Sequence, residues 1–98
     1  SGKYYLDEIL LLCEQNNIKV NLISPPYTKD YVNFINSNPC WSLNKKTLRK
    51  LAETDWIEYK DYTTFFSGQK DYWKYFKDLD HMTPEAGVML GVNIESTP

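Results

Sequence analysis

The single histidine of this 98-residue chain lies in Asp78-Leu79-Asp80-His81, the stretch with the clearest capacity for acid–base chemistry. Imidazole titrates near neutral pH, so it can take up and return a proton in ordinary water. Asp78 stands three residues before His81, and in a tight loop that spacing lets its carboxylate reach the imidazole Nδ1. A carboxylate there fixes the tautomer, stabilises the imidazolium and leaves Nε2 free to take a proton from a nucleophile. Asp80, adjacent in sequence, is expected to point elsewhere. Lone histidines are ordinarily structural or merely exposed. This one sits just before a capped helix, in a loop after a β-region, where α/β proteins place functional groups.

Other side chains offer weaker chemistry. Cys40 with His81 and Asp78 would make a thiol triad, but Pro39-Cys40-Trp41 follows a helix break and carries no activating environment. Asp78, Asp80 and His81 as a metal site would need three neighbours in one loop to turn inward together, with no second cluster to help. Cys13 and Cys40 lack CxxC spacing and have one histidine for company, so no metal or cofactor is expected. The run Asp71-Tyr72-Trp73-Lys74-Tyr75-Phe76 has two uses. It can form a sugar-stacking platform, or Trp73 and Phe76 can pin the loop to the core; the burial energy of aromatics favours the pin.

The elements that must position these groups follow from periodicity. Leu6, Ile9, Leu10 and Cys13 make one apolar stripe on a helix over 4–15, which Asn16-Asn17 closes. Ile18–Ile23 has strand length and β-branched residues, and Ser24-Pro25-Pro26 ends it. A second helix over 28–36 turns Tyr31, Phe34 and Ile35 inward, and Asn38-Pro39-Cys40 breaks the chain. A third helix starts at Ser42 and buries Leu48, Leu51 and Ala52. Asp55–Tyr59 reads as a second strand, and 69–76 as a helical turn or two. Thr83 caps a last helix whose first residue is Pro84, with Glu85 in its first turn and Ala86, Met89, Leu90 and Asn93 at helical spacing. Gly87 inside that helix implies close packing.

That order is the order of an α/β layer fold with parallel strands. Two strands, however, are too few for a parallel sheet buried on both faces. Residues 1–98 therefore read as one partial domain. Either a homodimer through the sheet edges or the rest of a larger domain completes it.

Composition removes several classes of function. The net charge is −2 with both signs mixed along the chain, which leaves no basic stripe for nucleic acid. No apolar run approaches the roughly 20 residues needed to span a bilayer, and no signal-peptide pattern precedes the first helix. Eight Tyr, four Phe and three Trp are many for this length, and suit a thin domain whose core lies close to its surface.

The stretch Phe76-Lys77-Asp78-Leu79-Asp80-His81-Met82-Thr83-Pro84-Glu85-Ala86-Gly87 resembles the last motif block of the SGNH (GDSL-like) hydrolase superfamily. That block is Asp-x-x-His, then an apolar residue, a helix start and a glycine. The helix and strand ending in Ser24-Pro25-Pro26-Tyr27 look like a late βα unit of its envelope-associated members. The resemblance implies a three-layer α-β-α, flavodoxin-like fold, present here as a C-terminal portion. It implies that Asp78 orients His81 as general base, in an esterase or O-acyltransferase acting on an acylated glycan or other small ester, at a bacterial cell envelope. The superfamily's Gly-Asp-Ser-type nucleophile block and its oxyanion glycine and asparagine have no counterpart here. Ser67-Gly68 is the nearest imitation and reads as a turn. The chain alone is expected to be catalytically silent. The other reading left open is a non-catalytic interaction module, or a remnant of the fold, that dimerises or binds a partner through its sheet edge.

Overall fold

In the computed structural model, which describes residues 2–96, the chain is a mixed α/β structure of four helices and a two-stranded parallel sheet. The elements run α1 (Gly2–Gln15), β1 (Val20–Ser24), α2 (Lys29–Asn36), α3 (Pro39–Leu51), β2 (Ile57–Asp61), a 3-10 turn (Tyr72–Tyr75) and α4 (Pro84–Ser96). Val20 lies opposite Ile57 and Ser24 opposite Asp61, so both strands finish at the same end of the sheet. Pairing sets the strand limits. β1 starts two residues later than its β-branched run, and takes in Ser24, whose carbonyl accepts from Tyr62 N–H at 2.9 Å. β2 is likewise shifted, from 55–59 to Ile57–Asp61.

The helix ends follow their local chemistry. α1 stops where Asn17 enters the left-handed region at φ 56°, a conformation asparagine tolerates, and Ile18 N–H returns to Cys13 O at 2.8 Å. α3 begins at Pro39, earlier than the expected Ser42. Asn38 Oδ1 accepts from Cys40 N–H at 2.8 Å, and proline suits the first helical position, so Asn-Pro starts a helix here instead of breaking the chain. α4 starts as expected, with Thr83 Oγ1 accepting from Ala86 N–H at 3.3 Å.

The faces differ more than the ends. In α1 Leu10 is buried, Leu6 and Cys13 are half-buried and Ile9 is exposed. In α2 Val32 and Ile35 are buried while Phe34 points outward. Leu48 and Leu51 of α3, and Ala52 at its C-cap, are only half-buried. In α4 Ala86 and Leu90 are buried and Met89 is not. The close packing expected at Gly87 is absent, since a Cβ there would meet nothing within 4 Å.

The core that supports the His81 loop is aromatic. Phe66 is fully enclosed and joins Phe76 and Ala86, with Phe65, Tyr72, Tyr75 and Met82 packed around them. Its ring stacks on Tyr75 with centroids 4.3 Å apart, and meets Phe76 edge-on at 5.9 Å. Phe76 therefore pins the segment, as expected. Trp73 does not: it is exposed and lies against Tyr72 at 5.1 Å.

The molecule is a slab of 44 × 32 × 20 Å. Its radius of gyration is 14.9 Å, against about 12–13 Å for a compact domain of this length. Ile9 and Leu12 of α1 and Val88 and Val92 of α4 remain on the surface, so apolar residues of both helices face solvent.

Candidate active site

The loop that carries Asp78 and His81 is closed by its own backbone. Phe76 and Met82 form an antiparallel bridge, Lys77 N–H donates to His81 O at 2.8 Å, and Thr83 N–H donates to Tyr75 O at 2.9 Å. Inside this closure Asp78 Oδ1 accepts from the backbone N–H of Asp80 at 3.1 Å and of His81 at 2.9 Å. The aspartate thus organises the turn before it does anything to the imidazole.

The expected pair is formed. His81 Nδ1 lies 2.8 Å from Asp78 Oδ1 and 3.1 Å from Oδ2. With Nδ1–H donating to the carboxylate, Nε2 carries the free lone pair, the tautomer a general base needs. Asp80, expected to point elsewhere, instead brings Oδ1 to 3.1 Å from the same Nδ1. The turn brings both carboxylates to the same nitrogen, Asp78 by hydrogen bond and Asp80 within ion-pair distance, while Leu79 between them is exposed.

Electrostatics follow from that geometry. The hydrogen bond donated to Asp78, then the charges of Asp78 and Asp80, raise the imidazole above its usual value and outweigh desolvation and the charge of Lys77. The His81 hydrogen bond foremost, with the Asp80 N–H, holds the Asp78 carboxyl below the usual carboxylate range. The ion pair is therefore complete between those two values. It is lost as pH rises through the raised imidazole value, and lost on the acid side as pH falls through the lowered Asp78 value. Both side chains are well exposed, at 70% for His81 and 57% for Asp78. The pair sets a proton-transfer geometry and adds little to stability.

The loop is also placed. Leu79 O accepts from the backbone N–H of Thr28 at 3.1 Å and from Thr28 Oγ1 at 2.9 Å. Thr28 follows the carboxyl end of β1 and caps α2. Tyr27 N–H donates to Thr63 O at 3.1 Å, and Asp61 Oδ1 holds Thr63 through its N–H at 2.9 Å and hydroxyl at 2.6 Å. The Asp–His loop is therefore fixed at the carboxyl end of the parallel sheet, the end at which open α/β sheets bind ligands. The Tyr27 phenol lies near this charge. Burial first, then the negative groups around it, Asp80 among them, keep it protonated to higher pH than usual.

The other candidates are not assembled with the pair. Cys40 is exposed in the first turn of α3. Ser67 Oγ is enclosed without a hydrogen-bond partner, in a turn where Ser67 N–H donates to Thr64 O at 3.0 Å, so a substrate could not reach it. Ser24, at the strand end, is buried with its hydroxyl 2.6 Å from Tyr59 OH. Asp78, Asp80 and His81 each offer a ligand atom within 4.8 Å of the others. With the proton on Nδ1, that nitrogen is taken up by the Asp78 hydrogen bond, with Asp80 Oδ1 beside it. Sequence reading missed Asp80, Tyr27 and the Thr28 contact. The first needed loop geometry, and the last joins residues 51 positions apart with no local signal.

No helix among the described residues is long and apolar enough to cross a membrane. Comparison with protein-family models, with curated proteins and with solved structures finds no match.

Proposed function

We propose that this chain is the C-terminal portion of an SGNH-like ester hydrolase or O-acyltransferase, and that it supplies the Asp78–His81 pair of a Ser-His-Asp triad. The observation that carries the proposal is the 2.8 Å contact from His81 Nδ1 to Asp78, made in a loop held at the carboxyl end of a parallel sheet. In the mechanism, His81 Nε2 takes the proton of a serine hydroxyl as that oxygen attacks the ester carbonyl. Asp78 stabilises the imidazolium, and His81 then returns the proton to the departing alcohol. The serine and the oxyanion donors come from outside this chain.

Two further observations support a larger three-layer α-β-α domain. The sheet has two strands, and apolar residues of α1 and α4 stay on the surface, as they would if further strands and helices were to cover them. The acyl donor in this proposal is an acylated glycan or another small ester. A fluorophosphonate probe, which labels only an activated serine, tests the proposal in the longer protein. His81→Ala should slow labelling by at least about 10³-fold. Equal labelling of the two proteins, or none in either, would overturn it and leave a non-catalytic module.

A further inference from the structure

We propose that Thr28 is a positioning residue for the Asp78–His81 pair, acting through the carbonyl of Leu79. This rests on the proposed role of the pair and assigns what holds it in place.

Thr28 is completely buried, an unusual state for a threonine at the start of a surface helix. Its hydroxyl does two things at once. It donates to Leu79 O at 2.9 Å and accepts from Tyr31 N–H at 3.3 Å, the capping bond of α2. Its own N–H makes a second bond to Leu79 O at 3.1 Å. Leu79 lies between Asp78 and Asp80, the two residues whose carboxylates flank His81 Nδ1. Two donors on one carbonyl fix the direction of the peptide between the two aspartates, and with it the side of the loop on which their carboxylates emerge.

Phe76 and Met82 hold the two ends of the loop at the aromatic core, but the hydrogen bonds within the loop do not fix its tip. Those bonds, Lys77 N–H to His81 O and Asp78 Oδ1 to two backbone N–H groups, are internal and would travel with the loop if it swung. The side chain of Leu79 is exposed, at 49%. Thr28 alone among these contacts ties the loop to the strand end, where Tyr27, Thr63 and Asp61 are already locked together.

Valine has the shape of threonine without its hydroxyl, so Thr28→Val removes one donor from Leu79 O and crowds the carbonyl with a methyl group. Thr28→Ser keeps the donor. The experiment is an NMR pH titration of His81 in the wild type, Thr28→Val and Thr28→Ser, with thermal unfolding of each recorded alongside. The expected result is a raised midpoint in the wild type and in Thr28→Ser. In Thr28→Val it returns at least halfway toward the ordinary value of about 6.5. A helix cap alone would lower the unfolding temperature of Thr28→Val and leave the His81 midpoint where it was, and that result would overturn the positioning role. A wild-type midpoint already at the ordinary value would instead sink the Asp78–His81 pair, so the two failures are distinguishable. Should Thr28→Val not fold, amide exchange in the wild type decides. Slow exchange at Thr28 N–H supports the clamp, and exchange as fast as at an open loop overturns it.

Discussion

Truncating Phe66 removes the side chain on which the segment leading to His81 rests. A phenylalanine that is fully enclosed, as Phe66 is, takes about 150–250 Å² out of water. At about 25 cal/mol/Å² that burial is worth about 4–6 kcal/mol, of which alanine keeps the Cβ share. Phe66→Ala should therefore cost about 3–5 kcal/mol, in line with other core truncations. A domain of this length has about 5–15 kcal/mol in all, and a slab only 20 Å thick belongs at the low end. Phe66→Ala should leave about 0–2 kcal/mol, so that between a few per cent and about half of the chain is unfolded at room temperature. Phe66→Leu keeps most of the volume but loses the stack on Tyr75 and the edge contact with Phe76, a cost of about 1–2 kcal/mol. In urea unfolding followed by tryptophan fluorescence, that loss appears as a midpoint lower by roughly 0.5–1 M. A Phe66→Leu midpoint equal to that of the wild type would refute the view that one aromatic cluster carries this half of the molecule.

Gly87→Ala should stabilise the protein by about 0.5–1 kcal/mol, because a methyl group there meets open space and alanine favours a helix. Urea unfolding checks it, and a loss of stability would mean that something covers that face of α4. Asp61 should matter to acid stability. Burial raises its carboxyl, but the Thr63 hydroxyl and N–H and the Lys45 ammonium at 3.0 Å outweigh burial and hold it below the usual carboxylate range. The stability it adds is present above that range and is lost as pH falls through the lowered value. Asp61→Asn should cost about 1 kcal/mol near neutrality, discounted for its partial exposure, and should narrow the gap to wild type in acid. Urea midpoints at about pH 7 and about pH 3 measure both, and parallel losses in the two proteins would contradict the assignment.

Residues whose fate is set by their neighbours in sequence were legible before the fold was known. The Asn16-Asn17 stop, the Thr83-Pro84 start and the Asp78–His81 spacing all depend on a few consecutive backbone groups, and all three stand in the structure. Features that depend on distant partners were not legible. The strand limits moved because cross-strand pairing with the other strand decides them. Ile9 and Phe34 match helical stripes, yet both lie on the surface while their stripe-mates Leu10 and Ile35 are buried, so the covered face is narrower than each stripe. Pro39 points both ways in the sequence, because proline both ends and begins helices, and the side chain of Asn38 decides between them. Gly87 suggested packing that only the position of a second element could have confirmed. Thr28 was read correctly as a helix start, while its second contact, to Leu79, came from the far end of the chain.

The most direct test of the Asp–His pair uses the chain's single histidine. His81 is titrated by NMR in the wild type and in Asp78→Asn. With the carboxylate 2.8 Å from Nδ1, the wild-type imidazole should titrate above about 6.5, and the asparagine variant should fall back toward it, with a small remainder from Asp80. Wild type and Asp78→Asn titrating alike at the ordinary value would contradict the pair, and with it the proposed catalytic role.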